Sequence, residues 1–339
     1  MPSRFDATRD ELAALLDGEP RYRVDQVWHG LHGLRELHEL TELPKPLRAR
    51  LADALPPALE AAATTTSDYG DTTKWLWRLH DGALVETVLM HYPDRTTVCV
   101  STQAGCAMAC GFCATGQQGF DRNLTAGEIV EQVVRAAQAS RPRRLANVVF
   151  MGMGEPLANY DRTLAAVRRL HDDLGISARH LTLSTVGIVP GITRLAAEEL
   201  PVNLAVSLHA ANDALRDELV PINRRYPLAA LLDACDAYRA ARNRRLSFEW
   251  ALIDAVNDRD SDAAELAAIA RRLHAHVNLI PLNPTKDYDT PGSPAHRVRE
   301  FRDLLRGLGV NATVRQNRGT SIDAACGQLR ATAVEVHPR

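Results

Sequence analysis

The N-terminal part of the chain contains short stretches with apolar residues at helical spacing, separated by polar breaks. Residues 11–16, 24–31 and 47–55 have this pattern. Apolar positions three or four residues apart form one face of an amphipathic helix. We therefore predict a small helical accessory domain over residues 1–70.

Strand patterns follow directly after this segment. The runs 74–80, 84–91 and 96–102 are rich in β-branched and aromatic residues, and turn-forming residues separate them. These runs predict a β-meander, which links the two domains over residues 71–95 and continues into the main domain.

Beyond residue 96, strand-like apolar runs alternate with helical segments. The later runs are 147–151, 180–185, 202–207, 246–253, 277–281 and 311–315. Such alternation is typical of parallel strands joined by right-handed crossovers. Counting the run 96–102 and leaving the last run aside gives six strands. The prediction is an α/β fold, a partial (β/α)6 barrel over residues 96–330 with a tail over 331–339, and an open sheet is the alternative.

Composition and charge narrow the function classes. The chain has 339 residues, 45% of them hydrophobic, and its formal charge of −2 does not by itself indicate a nucleic-acid binder. The N-terminus carries acidic residues where a signal peptide needs an apolar run, and no stretch reaches the roughly 18 apolar residues of a membrane-spanning helix. We expect a cytosolic protein, in which six cysteines are ligands, nucleophiles or core residues rather than a disulfide framework.

Three of these cysteines form a candidate metal site. Cys106, Cys110 and Cys113 have C-x3-C-x2-C spacing directly after a predicted strand. A structural zinc site normally has a fourth ligand at comparable spacing, and the next cysteine upstream, Cys99, lies in a predicted strand. Three thiolates fit a [4Fe-4S] cluster whose fourth iron stays open for a small molecule. The spacing favours the cluster, and zinc is the alternative.

Further motifs occur along the chain, some overlapping this cysteine group and others following it. They are residues 99–106, 112–119, 152–159, 207–209 and 323–329. Together with the cysteine spacing, they resemble the radical S-adenosylmethionine (SAM) enzymes, and more closely the RlmN-type RNA methyltransferases, which act on C2 of adenine. The resemblance runs from residue 86 to residue 329. It implies a radical-SAM partial barrel, one [4Fe-4S] cluster per subunit and two SAM molecules consumed per methylation.

The resemblance also implies which residues bind SAM. The segment 152–156 matches the family segment that contacts the SAM amino group, where glycines allow close approach and a carboxylate accepts hydrogen bonds. Other matching residues lie at the C-terminal ends of predicted strands, where ligand sites of α/β barrels gather. Taken singly, such residues more often satisfy local backbone groups. The predicted SAM-binding residues are Gly154, Glu155, Ser184, Ser207, Leu208, His209 and Asn283.

Two further cysteines receive roles from the same resemblance. C2 of adenine is electron-poor and has no lone pair, so it cannot attack a sulfonium methyl. In the family's scheme, Cys326 takes a methyl from one SAM molecule, and a 5′-deoxyadenosyl radical formed from a second removes hydrogen from that methyl. The resulting carbon radical adds to the base, and Cys99 releases the product through a transient disulfide with Cys326.

Glu86 and Cys235 complete the candidate residues. Glu86 matches the family's proposed proton acceptor, although without the resemblance a solvated strand carboxylate is the simpler interpretation. Cys326, taken singly, would likewise be an inert buried thiol. Cys235 lies on a helical pattern and matches no family residue that we can place, so we assign it to the core.

RNA is the implied substrate. The resemblance indicates a specific adenosine in 23S rRNA and in tRNA, and an electron donor such as flavodoxin or ferredoxin. The target base must leave its stack to reach a pocket. Arginine-rich segments at 141–144, 239–245 and 297–306 are equally compatible with solvated helix faces. The basic residues predicted to face RNA from the N-terminal domain are Arg4, Arg9, Arg21, Arg23, Lys45, Arg48 and Arg50.

Two alternatives remain open. The sister Cfr type shares both cysteines and the cluster loop but methylates C8 of the same base, whereas residues 117–120 and Pro156 favour the C2 type. A zinc-stabilised RNA-binding module held by Cys99, Cys106, Cys110 and Cys113 is the alternative from a different class.

Overall fold

The helical region at the N-terminus of the chain ends earlier than residue 70, where the sequence analysis placed its boundary. The structure, a computed structural model, describes residues 3–285, 288–315, 318–325 and 327–329. The helices of this region are α1 (Arg9–Leu15), α2 (Tyr22–His32) and α3 (Lys45–Ala54). The prediction of a helical segment up to residue 70 is wrong at its end, because residues 60–67 form a strand. Cys326 and the predicted tail 331–339 lie outside the described residues.

The misassigned segment is a polar edge strand. Its sequence, EAAATTTS, has no apolar alternation, so its strand state comes from pairing with the neighbouring strand along nearly its whole length. Backbone pairing with an adjacent strand overrides weak local preference in such a segment. The division of the chain into domains at residues 70 and 95 stays a prediction.

One mixed sheet contains ten of the strands. Three antiparallel strands lead into the parallel part, in the spatial order β1-β2-β3-β4-β7-β8-β9-β10-β11-β12. The remaining two, β5 and β6, form a separate hairpin. The strands are β1 (Glu60–Ser67), β2 (Thr72–Arg78), β3 (Leu84–His91), β4 (Thr96–Cys99), β5 (Gln103–Gly105), β6 (Phe120–Asn123), β7 (Asn147–Phe150), β8 (Leu181–Thr185), β9 (Asn203–Ser207), β10 (Leu246–Leu252), β11 (His276–Pro281) and β12 (Ala312–Val314).

Helices cross between the parallel strands, as the alternating pattern predicts. They are α4 (Ala114–Gln118), α5 (Ala126–Ala139), α6 (Tyr160–Asp172), α7 (Val189–Ala197), α8 (Asp213–Leu219), α9 (Leu228–Arg242), α10 (Asp260–Arg272) and α11 (Ala295–Gly307). The helix α5 begins with the expected capping box, in which Thr125 accepts from the backbone of Glu128 and Glu128 accepts from that of Thr125. The six predicted parallel strands are confirmed, and the short β12 pairs parallel to β11 as a seventh.

The N-terminal segment packs on the outside of this α/β layer. Asp6 accepts a hydrogen bond from Gly127 N at the start of α5, and Trp28 Nε1 donates to Asp173 just after α6. A continuous apolar cluster extends from Phe5 to Leu329. No helix among the described residues is long and apolar enough to cross a membrane.

Candidate active site

The three clustered cysteines lie in a loop between the hairpin strand β5 and the short helix α4. Cys106 follows β5 and its N–H donates to Gly119 O at 2.6 Å. Gly105 has φ +71°, and a Cβ on it would stand 2.1 Å from that same carbonyl, so only glycine fits this close approach. At the other end, Cys113 directly precedes α4 and its N–H donates to Cys110 O. The loop therefore holds the three cysteines in one compact turn.

All three thiols open into one cavity, which we call the cluster cavity. Each is a free thiol, and burial raises the pKa of Cys106 to about 12 and that of Cys110 well above its usual range. Metal binding must therefore displace the thiol protons. No three His, Cys, Asp or Glu side chains in the described part of the chain converge on a single-ion site. A cubane instead needs thiols around a cavity, because each thiolate binds a different iron.

Glu155 also borders the cluster cavity. Its two carboxylate oxygens accept hydrogen bonds from Leu157 N at 2.9 Å and Val186 N at 2.8 Å, so the loops after β7 and β8 are held together. Burial raises its pKa to about 7. Gly154, at φ +97°, leaves no room for a side chain because a Cβ would lie 2.5 Å from Gln103. The carboxylate is thus fixed in a dry pocket beside the cysteines.

Three more predicted residues border the same cavity. Ser184 and Ser207 stand at the carboxyl ends of β8 and β9, and His209 follows two residues later. Ala251 N donates to Nδ1 of His209 at 3.0 Å, which leaves the ring hydrogen on Nε2. Burial, together with the charge of Arg216, lowers the pKa of His209 to about 3, so the ring is neutral at physiological pH.

Sequence reasoning missed Arg216, which organises this wall. Its guanidinium is completely buried and donates to the carbonyls of Val186 at 2.6 Å and Leu208 at 3.1 Å, and to Asn223 Oδ1 at 2.7 Å. Arg216 thereby ties the loop after β8 to the loop after β9. A lone arginine in a short helix gives no pattern that could have identified it.

Two predicted residues do not line the cluster cavity. The Leu208 side chain is fully buried in the apolar core; its N–H donates to Glu249 O and its carbonyl accepts from Arg216. Asn283 is buried beyond the end of β11 and is not among the described residues that border the cavity. Any contact of Leu208 with SAM would have to use its main chain.

A second cavity, the Cys99 cavity, adjoins the first. Cys99, at the end of β4, lines it together with Tyr92 and Arg318, while Met151, Ile280 and Arg315 border both cavities. Ala325 and Leu329 also line the Cys99 cavity, and Gly327 lines the cluster cavity. Of the two residues next to Cys326 in the chain, Ala325 therefore borders the Cys99 cavity and Gly327 borders the cluster cavity. Cys99 faces a different cavity from the other three cysteines, so the structure does not assemble the four-cysteine zinc set.

The sequence analysis also missed Glu249. This residue lies on β10, the strand between β9 and β11, and borders the cluster cavity. Its Oε1 accepts from Asn278 Nδ2 at 2.8 Å, and its Oε2 lies 3.6 Å from Nη1 of Arg315 without accepting a hydrogen bond from the described residues. A carboxylate within a fully buried strand is the signal that could have singled it out.

Glu86 lies on β3 outside both cavities. Its buried carboxylate is 2.8 Å from the ammonium of Lys74, which also donates to the carbonyl of Asp323. Lys74 therefore connects Glu86 to the segment that precedes Cys326. The role of Glu86 as proton acceptor stays a prediction.

A loop of three cysteines and a buried carboxylate border one cavity of this partial barrel, the arrangement expected of a radical SAM enzyme. Residues 100–267 match the Radical SAM superfamily. Membership implies a [4Fe-4S] cluster and SAM, and a donor set of three thiols around one cavity fits that cluster.

Relatives identify the branch of this superfamily. A probable dual-specificity RNA methyltransferase RlmN of Salinispora tropica is 53% identical, over 98% of this chain and 94% of its own. The dual-specificity RNA methyltransferase RlmN 1 of Myxococcus xanthus is 50% identical, over 97% and 94%. The crystal structure of a radical SAM methyltransferase from Sphaerobacter thermophilus superposes with a TM-score of 0.94 at 51% identity, covering 98% of this chain and 100% of that one. The chain belongs to the RlmN family.

Proposed function

We propose that the protein methylates C2 of a specific adenosine in 23S rRNA and in tRNA, with SAM as methyl donor. The relatives' names supply the reaction class and the RNA substrate. The observation that carries the proposal is the adjacency of the two cavities, because most of the predicted cofactor-binding residues line one and Cys99 lines the other. An electron donor such as flavodoxin or ferredoxin would supply the reducing electron.

Cys106, Cys110 and Cys113 would hold the cluster. When bound, the cluster and SAM together supply a 5′-deoxyadenosyl radical. Glu155 would accept hydrogen bonds from the SAM amino group, while Gly154 lets the backbone come close. Ser184, Ser207 and the neutral His209 would contact the rest of the cofactor from the ends of β8 and β9. Arg216 would position this wall without touching SAM, and Leu208 and Asn283 would bind only peripherally.

Cys326 and Cys99 would divide the methyl transfer between them. Cys326 would carry the methyl as a thioether, and the carbon bonded to its sulfur would join the base. After the adduct has lost the C2 proton and returned one electron to the cluster, attack by the Cys99 thiolate on that sulfur would form a disulfide and break the sulfur–carbon bond. The displaced carbon would keep the bonding electrons, delocalised into the electron-poor ring, and take up a proton to become the methyl group. The place of Cys99 in the wall of the second cavity supports this role. Glu86 would accept the proton that the base loses, either directly or through a neighbouring group.

The pH dependence of SAM binding tests the role of Glu155. Its pKa of about 7 in the protein without SAM means that binding to the carboxylate must first remove a proton at lower pH. We expect the affinity for SAM to rise about tenfold per pH unit below the pKa that this carboxyl has in the cluster-loaded enzyme, and then to level off. Titration calorimetry on the reconstituted enzyme would measure it. Glu155→Gln should bind more weakly and lose most of this dependence, whereas an unchanged profile would remove Glu155 from the SAM site.

The identity of the product tests the proposed reaction. After incubation with unmodified 23S rRNA fragments or tRNA, the digested RNA should contain 2-methyladenosine, because residues 117–120 and Pro156 favour the C2 type. Comparison of retention and mass with standards of 2- and 8-methyladenosine would decide. Predominant 8-methyladenosine would assign the protein to the sister Cfr type. No methyladenosine with either RNA, in an enzyme that cleaves SAM, would contradict the RNA methyltransferase reaction itself.

A further inference from the structure

A third cavity, the arginine groove, lies at the opposite end of the parallel strands from the cysteine loop. It has a volume of about 570 Å³ and is lined by the residues that immediately precede three adjacent strands, β4, β7 and β8. Four arginines border it, Arg95, Arg143, Arg144 and Arg179. Their guanidinium groups come from three separate connections, so the fold gathers them at one place.

The positive charge of this groove is largely uncompensated. Its one acidic lining residue, Asp94, is paired with Arg95 at 3.0 Å. No acidic side chain in the described ranges forms an ion pair with Arg143, Arg144 or Arg179, all three of which are exposed. Such a concentration of unpaired guanidinium groups attracts polyanions and matches the geometry of phosphate oxygens.

The N-terminal domain, which the sequence suggested as the RNA-facing surface, differs in this respect. Arg4 is 2.5 Å from Glu36, Arg50 is 3.8 Å from Glu19, and Arg9 is paired with Asp25. Neighbouring carboxylates therefore offset part of its charge, whereas Arg21, Arg23, Lys45 and Arg48 form no ion pair within the described ranges. The arginine groove is distinguished instead by the four arginines from three connections that border one concave surface.

Tyr92 lies between the arginine groove and the Cys99 cavity. Its ring borders both the groove and the Cys99 cavity, and it is held between the guanidinium groups of Arg95 at 4.4 Å and Arg318 at 4.6 Å. Arg318 itself lines the Cys99 cavity. A polyanion in the groove would therefore lie next to Tyr92, which also lines the cavity that contains Cys99.

We propose that the arginine groove binds backbone phosphates of the RNA substrate beside the target adenosine, whose base enters the Cys99 cavity next to Tyr92. The inference rests on the proposed RNA methyltransferase function. An acidic electron-transfer protein is the other polyanion to consider. RNA is favoured because the groove lies at the strand starts, whereas the cysteine loop lies beyond the strand ends.

The test uses the reconstituted holoenzyme with dithionite as reductant and an unmodified tRNA transcript as substrate. Arg143→Ala/Arg144→Ala should raise KM for RNA at least about tenfold at physiological salt, with kcat changed by less than about twofold. The slope of log affinity against log salt should flatten by about 1.5, since each lost phosphate contact removes about 0.7–0.9. Arg143→Lys/Arg144→Lys should retain most of the affinity, because the charge remains.

Arg271→Ala/Arg272→Ala is the control for the loss of two positive charges at adjacent exposed positions on α10, although Arg272, unlike the groove arginines, is paired with Asp233 at 2.9 Å. Its KM should change by less than about twofold. A groove variant that behaves like this control, in an enzyme that methylates RNA, would overturn the phosphate site. A groove variant impaired only when flavodoxin replaces dithionite would assign the groove to the reductant instead. Failure of the unmutated enzyme to methylate RNA would contradict the proposed function rather than the groove.

Discussion

Replacing Cys106, Cys110 or Cys113 with alanine is expected to abolish both iron binding and methyl transfer. The unmutated protein, purified without oxygen, should be brown and carry about four iron atoms per chain. Each thiolate holds a different iron, and no other Cys, His or carboxylate among the described residues completes a metal-ligand group to replace a lost one. Iron and sulfide analysis together with the visible absorption spectrum would measure the loss.

The chain offers a matched control in Cys235. This cysteine is completely buried in α9, where burial raises its pKa to about 12, and its predicted assignment to the core is confirmed. Cys235→Ala should keep iron and activity and lose about 1 kcal/mol of unfolding free energy at most. Full activity with stoichiometric zinc and no iron, or with alanine at any of the three loop positions, would contradict the radical mechanism.

The parallel part of the fold could be predicted because its strands are buried on both faces. In the central strands β9 and β10 most residues are apolar, β10 being buried along its whole length and β9 at its three middle positions, and such apolar runs are visible without knowledge of their neighbours. The edge strand β1 shows the opposite case. Its alanines and threonines bury little, so its strand state depends on β2. Pairing partners are not visible in a local pattern.

Motif residues of the site were predictable, whereas the groups that support them were not. The loop cysteines, Glu155 and His209 belong to recognisable motifs, and the structure brings them to one cavity. Arg216 and Glu249 act through buried contacts to residues distant in sequence. Leu208 shows a limit of carrying a motif over position by position, because its side chain points into the core. A motif therefore locates a site, but three-dimensional packing decides which of its members face the ligand.

Changing Cys326 or Cys99 to alanine is expected to stop the reaction at different stages. Cys326 lies outside the described residues, yet Ala325 and Gly327 beside it border the two cavities, and its proposed role is to carry the methyl. Cys326→Ala should keep its iron, show no S-methylcysteine by peptide mass spectrometry and form no covalent bond to RNA. Methyl transfer should fall below detection, because no group remains to bring the methyl to the base.

Cys99→Ala should instead accumulate the covalent intermediate. In the proposed scheme, methylation of Cys326 and addition to the base do not need the Cys99 thiol, but release would require it to displace the base-bound carbon from sulfur. RNA should therefore stay attached to this variant on denaturing gels and disappear after nuclease treatment, whereas Cys99→Ala/Cys326→Ala and Cys235→Ala should show no adduct. A core thiol or metal ligand at position 99 would behave differently, because its loss would lower stability or iron content without trapping RNA. One result would exclude the releasing role: a Cys99→Ala protein that has normal iron content and normal methylation of Cys326 but forms no RNA adduct. Cys99 would then have only a structural role in lining its cavity.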